Sequence, residues 1–268
     1  MPTLSKKPGA IGLPTGVKDL VRADFRNEMW IQAIEAKGYR LAWSRTAQCP
    51  CKSVSEQTDQ ADPNCPICKG NGWLFFRPSG AVNNPKVIGP LTPVQQKIVD
   101  NSGAVIHGIM TAIGNSKKPW EQVGPRLEGM SMCTVRAENK LGYYDRLTCL
   151  DARIVYSQIL NATAVVAPLV TRYPVVEVNL LRTVDQTFTE SGDFDVVAGD
   201  IVWRTGRAPV EGTPLVIHYL CHPTWRVWEH PHAVRLTLTK FKEKSPTTPQ
   251  GSPIDLPVQA MLKYEFLL

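Results

Sequence analysis

Residues 194–229 read FDVVAGDIVWRTGRAPVEGTPLVIHYLCHPTWRVWE. FDVVAGDIVW, PLVIHYLCH and WRVWEH (225–230) are runs rich in branched and aromatic residues. AGD within the first and RTGRAPVEGTP after it are turn chemistry. Short apolar or alternating runs separated by such clusters predict β-strands. The pattern continues outward in both directions. Upstream lie AVIHGIMTAIG (104–114), a run from Leu127 to Ala137, LGYYDRLTCLDARIVYSQIL (141–160) and VVEVNLLRTV (175–184); downstream lies VRLTLTKF (234–241). No helical stretch of useful length interleaves, which argues against a parallel α/β sheet. The expected fold is mainly β, with an antiparallel barrel or sandwich body over 104–242.

The flanks read differently. Residues 1–16 are rich in Pro, Gly and Lys and read as a flexible arm. Residues 17–78 are expected to hold a helix and a small cysteine unit. Phe25, Met29, Trp30, Ala33 and Ile34 recur at helical spacing over 17–37, and Gly38 is placed to stop that helix. YRLAWSRT (39–46) alternates as a strand, and WLFFR (73–77) reads as another. Residues 79–103 are turn-rich and read as a linker, within which GPLTPVQQKIVDNSG (89–103) fits a short strand or a helical turn equally well. Residues 243–268 read as a Pro/Ser-rich linker followed by a strand arm, QAMLKYEFLL (259–268). That strand is expected either to fold back on its own sheet or to add to the edge of a neighbouring subunit.

Within 17–78, the text CPC (49–51) is followed thirteen residues later by CPIC (65–68). Cys49, Cys51, Cys65 and Cys68 form a metal-ligand constellation with zinc as the expected ion, because zinc favours four tetrahedral donors and thiolate is among its best. CPIC sets two sulfurs on one tight turn, and Gly70 and Gly72 supply the positive backbone angles such a turn needs. Two disulfides are the competing use of the same thiols. MPTLSKKPGAIGLPTG (1–16) lacks the apolar core of a signal peptide, so reduced thiols and metal are favoured. Four cysteines fill the coordination shell, so the ion's expected role is structural.

The other chemistry-bearing residues carry less. Cys133, Cys149 and Cys221 are far apart in apolar contexts and read as buried small hydrophobes. His218, His222, His230 and His232 crowd into one stretch, but at no catalytic metal spacing such as H-E-x-x-H. Asp193 and Asp195 in SGDFD read as turn chemistry at a strand start. Phosphate-loop, dinucleotide and nucleophile-elbow motifs are absent, and no histidine precedes Cys65 in the pattern a zinc deaminase needs. The chain therefore reads as non-enzymatic. Its 268 residues suffice for one large or two ordinary domains, and no apolar run is long enough to span a membrane. A net charge of +6 is compatible with nucleic acid or acidic proteins as partners.

Taken together, the helix, the WSRT strand (43–46), CPC, DPNCPICKGNGW (62–73) and the β-rich body resemble the neck, or head-to-tail connector, proteins of tailed bacteriophages. In that family a G-x-I-x-W strand, a P-x-x-G-T turn and a V-x-x-Y strand recur as a β-hairpin. Here they match Gly199, Ile201 and Trp203, then Pro209, Gly212 and Thr213, then Val216 and Tyr219. The resemblance covers roughly 40–76 and 190–235. It implies a virion component: a homo-oligomeric ring joining portal to tail and neck proteins around packaged DNA, with non-specific phosphate contacts and no membrane partner. The alternative expectation is a zinc-ribbon nucleic-acid-binding protein.

Overall fold

The computed structural model describes residues 27–51, 65–68, 72–81, 89–101, 103–112, 129–162, 168–231, 236–238 and 253–267. The arm expected at 1–16, the first part of the 17–37 helix including Phe25, and most of the linker read after 243 lie outside the described residues.

The described elements are two α-helices, α1 (Asn27–Lys37) and α2 (Pro93–Asp100), and fifteen strands. The strands before the mid-chain are β1 (Tyr39–Gln48), β2 (Trp73–Phe76), β3 (Ala104–Ala112), β4 (Met130–Val135), β5 (Arg146–Cys149) and β6 (Ile154–Asn161). They are followed by β7 (Val175–Arg182), β8 (Thr187–Phe188), β9 (Phe194–Val197), β10 (Asp200–Trp203), β11 (Pro214–Cys221) and β12 (Thr224–Glu229). The last are β13 (Leu236–Leu238), β14 (Pro253–Asp255) and β15 (Val258–Tyr264), with a 3₁₀ turn at Glu265–Leu267. The mainly β expectation holds.

Six strands close into an antiparallel barrel in the order β1-β3-β4-β15-β12-β5, and β5 pairs back onto β1. β2 extends β1 as an extra strand. Inward residues alternate along each strand, so the interior fills with Leu41, Trp43, Ile106, Leu147, Val227 and Leu262. The C-terminal strand β15 folds back into its own barrel, between β4 and β12, which is one of the two expected outcomes. Strand pairing also crosses the segment boundaries read from sequence: β1 and β15, drawn outside the 104–242 body, are two of the six barrel strands.

A second body is a four-stranded sheet, β6-β11-β7-β8, with the β9–β10 hairpin covering its inner face. Leu215, Ile217, Tyr219 and Cys221 point inward from β11, while Pro214 and Val216 point out. β5 runs on into β6, and β11 into β12, and the two pair in both bodies (Thr148 with Thr224, Ile154 with Cys221). One two-stranded ribbon therefore threads barrel and sheet.

The hairpin expected from the family resemblance is not formed. β10, which carries Ile201 and Trp203, pairs with β9, and β11 pairs with β6 and β7. Burial decides this: Ile201, Trp203 and Tyr219 all enter one core from facing layers, which adjacent hairpin strands could not do from the same positions.

The helices pack on the barrel's outside. In the 79–103 segment, α2 resolves the open choice in favour of a helix. Thr92 caps it: its hydroxyl accepts from Gln95 N, the Gln95 side chain accepts from Thr92 N, and Pro93 stands at the first position. Gln95 then donates to Leu150 O at 2.7 Å and Val99 packs on Ala42 and Leu150, so α2 is docked on the barrel. Gly38 ends α1 as expected, but through lack of room: a Cβ there would lie 2.2 Å from Ile34 O and 3.2 Å from Gly108 N.

Candidate metal centre

β1 and β2 pair as an antiparallel ribbon from Arg45–Phe76 to Gln48–Trp73. Cys49 follows β1 directly and its N–H donates to Gly72 O at 2.9 Å, closing the ribbon's end. Gly72 has a φ of 70°, in the left-handed region, as the turn after CPIC was expected to need; Gly70 lies outside the described residues.

The ribbon end brings all four predicted ligands together. The sulfurs of Cys49, Cys51, Cys65 and Cys68 lie within 4.8 Å of one another. Cys49 Sγ is 3.8 Å from Cys65 Sγ, and Cys51 Sγ is 3.5 Å from Cys68 Sγ. A tetrahedron with metal–sulfur bonds of about 2.3 Å has edges of about 3.8 Å. A disulfide would need about 2.05 Å, and none of the four cysteines is in a disulfide. The donor set therefore fits a metal ion held by four sulfurs. Among the described residues no other group of three or more metal-ligating side chains converges.

The local backbone prepares the thiolates. The amides of Cys68 and then Ile67 donate towards Cys65, which brings its thiol down to about 7. Cys49 is affected most by the Cys51 amide, which lowers its pKa, yet burial and the Cys65 and Cys68 thiols outweigh that and leave it raised. Such crowding of thiols is relieved when a cation binds them as thiolates.

Among the described residues, Cys49, Cys65 and Cys68 are buried with only Cys51 and Leu74 packed against them. The flanking aromatics tie the unit to the barrel. Trp73 packs against Tyr144 with ring centroids 4.7 Å apart and the rings tilted by 31°, and Phe75 sits under the guanidinium groups of Arg226 and Arg146. Tyr144 has a φ of 62°, rare for a bulky residue. The buried carboxylate of Asp145 holds that turn, accepting from Gly142 N at 2.7 Å, Trp43 Nε1 at 2.8 Å, Arg45 Nη1 at 3.0 Å and Thr46 N at 3.2 Å. Asp145 went unread in the sequence, where YYDR carries only an ordinary turn signal.

The remaining candidates disperse. Cys133 and Cys221 are buried and pushed up to about 12 by burial, and Cys149 is raised by the same cause, so they behave as small apolar residues. His218 Nδ1 lies 2.7 Å from Ser157 Oγ on the outer sheet face. His222 is buried with Nδ1 2.9 Å from Ala152 O, and His230 meets Tyr143 edge-on. His232 lies outside the described residues. Asp193 accepts from Thr189 N and Oγ1, and Asp195 pairs with Arg204, in keeping with turn chemistry. Among the described residues, no helix is long and apolar enough to cross a membrane.

No protein-family model matches the chain, and no curated protein matches it in sequence.

Proposed function

We propose that this chain is a structural, non-enzymatic virion subunit of a bacteriophage neck, forming a homo-oligomeric ring between portal and tail around the DNA. In this reading the four-cysteine centre holds zinc. Four thiolates complete a tetrahedral shell and leave no open position for water, so the ion stiffens the β1–β2 ribbon end and activates nothing.

The observation that carries the assembly reading is the edge of the second sheet. β6 is eight residues long and, among the described residues, has a strand partner, β11, on one side only. Val155 and Ile159 stand exposed along it, with Val216 beside Ile159. A long, apolar, open edge is a template for another chain, and soluble proteins blunt such edges unless they use them. A second reading, a nucleic-acid-binding protein, draws on the partly exposed strip Trp73, Tyr144 and Trp228, with Lys263 Nζ 5.0 Å from the Trp228 ring centre.

Native mass spectrometry of the purified chain, alone and with portal and tail partners, tests the first reading. A closed ring with one zinc per subunit is expected. A chain that stays monomeric in every mixture overturns it. Binding of single-stranded DNA that falls at least tenfold in Trp228→Ala, by a chain that forms no ring, would transfer the conclusion to the second reading.

A further inference from the structure

Between the barrel, α2, the cysteine ribbon and the 171–174 turn lies a cleft of about 510 Å³. Lys97, Arg146 and Arg172 line its walls, and the hydroxyls of Thr148 and Thr224, 3.1 Å apart, and the His222 ring line its interior. These three groups are buried residues, so the cleft has a polar floor rather than a greasy one.

In and behind this cleft the cationic side chains outnumber the carboxylates, and Cys68 of the metal centre also lines it. Asp200, the one carboxylate in the lining among the described residues, is paired with Lys97. Behind the wall Glu265 serves Arg226 at 2.6 Å and Arg146 at 3.3 Å, and its backbone oxygen accepts from Arg172 Nη2 at 3.3 Å. Four cations, Lys97, Arg146, Arg172 and Arg226, thus share two carboxylates. Burial already presses the Arg226 pKa down. Arg146 Nε and Glu265 Oε2 face each other at 3.3 Å as an ion pair that falls short of hydrogen-bond geometry. Surplus positive charge in a partly enclosed site is costly unless a ligand supplies the counter-charge.

We propose that the cleft binds a phosphate monoester, its phosphoryl group seated among Arg172, Arg146 and Lys97 with the threonine hydroxyls beneath. Planar guanidinium forks suit the oxygens of a phosphoryl group. The volume exceeds what phosphate fills and falls in the range of small-molecule pockets, about 300–1,000 Å³, which leaves room for an organic remainder such as a nucleoside. The occupant would bridge segments from both bodies. This proposal is independent of the neck reading, which concerns the open edge of β6.

Isothermal titration of the full chain with inorganic phosphate and, separately, with adenosine monophosphate tests it. The expected result is saturable binding of adenosine monophosphate, weakened at least tenfold by Arg172→Ala and by Lys97→Ala. Arg182→Ala, on the second sheet away from the cleft, should leave it unchanged. Thermal melts verify that the variants fold, and the milder Arg172→Lys should retain part of the affinity. Tight binding of phosphate alone, with nothing gained from the nucleoside, overturns the monoester class. Binding of neither probe, or binding indifferent to both cleft substitutions, overturns the site.

Discussion

Among the described residues the barrel cluster holds twelve buried side chains, from Leu41 to Leu262, whereas the cysteine unit beside it buries Cys49, Cys65 and Cys68 with Cys51 and Leu74 against them. Both begin on the same strand, β1. The first half of β1 pairs with β3 and β5 and feeds the barrel interior; its second half pairs with β2 and ends in the ligands. Apolar area stabilises one half, and in the proposed reading a bound metal stabilises the other, since a unit this small cannot bury enough surface to offset its own ordering entropy. The two should therefore fail separately.

The largest separation is expected from Cys65→Ser. Structural zinc sites supply on the order of 10–16 kcal/mol of local binding free energy, and loss of one thiolate opens the shell. Metal per chain should fall from one ion to near none by elemental analysis. Amide exchange should rise by orders of magnitude at 45–49 and 73–76 and stay unchanged at 104–110 in β3. Retained metal, or a barrel that exchanges as fast as the ribbon, would mean that the two halves of β1 form one cooperative unit.

Asp145→Ala probes the joint between them. That carboxylate takes donors from β1 on both sides of the divide, Trp43 Nε1 from the barrel half and Arg45 and Thr46 from the ribbon half. Removing it leaves a buried indole N–H and a half-buried guanidinium without their acceptor. The expected loss is about 3 kcal/mol, read as a fall in melting temperature of roughly 6–12 °C. Asp145→Asn should lose less, because an amide oxygen still accepts. A loss below about 1 kcal/mol for Asp145→Ala would show that the Tyr144 turn holds itself.

The cysteine unit was legible because its information is local: residue type and spacing dictate the donor set, and the ribbon brings the ligands together. The strands were legible for a similar reason, since alternation is written along each one. Pairing was less so. RTGRAPVEGT looks like a hairpin connection between β10 and β11, yet β10 turns back to β9, because the buried faces of Ile201, Trp203 and Tyr219 have to meet across a core and not along a ladder. The place of β15 between β4 and β12 rests on contacts more than a hundred residues apart on the β4 side, which no local pattern records. The cleft was invisible for the same reason: Lys97, Arg146 and Arg172 come from three separate segments, each unremarkable alone.

The smallest expected effect belongs wholly to the barrel side and depends on pH. His107, on β3 opposite Arg40, is buried, and neither ring nitrogen has a hydrogen-bond partner. Burial lowers its pKa below the usual 6.5; Asp151 and Glu35 pull the other way, and Arg40 adds to the lowering. The folded chain therefore keeps the ring neutral where the unfolded chain would protonate it. Its contribution is complete above pH 6.5 and is lost as pH falls through the depressed folded-state value, with a slope of at most about 1.4 kcal/mol per pH unit. His107→Leu has no proton to take up and no orphaned nitrogens. Its stability by urea titration should equal or exceed that of the parent at pH 7.5, and the gap should widen in its favour as pH falls below 6.5. The carboxylates common to both chains cancel in that difference. A gap that stays constant from pH 7.5 to 5 would mean that His107 titrates alike folded and unfolded, and that the strand under α1 is wetter than its burial implies.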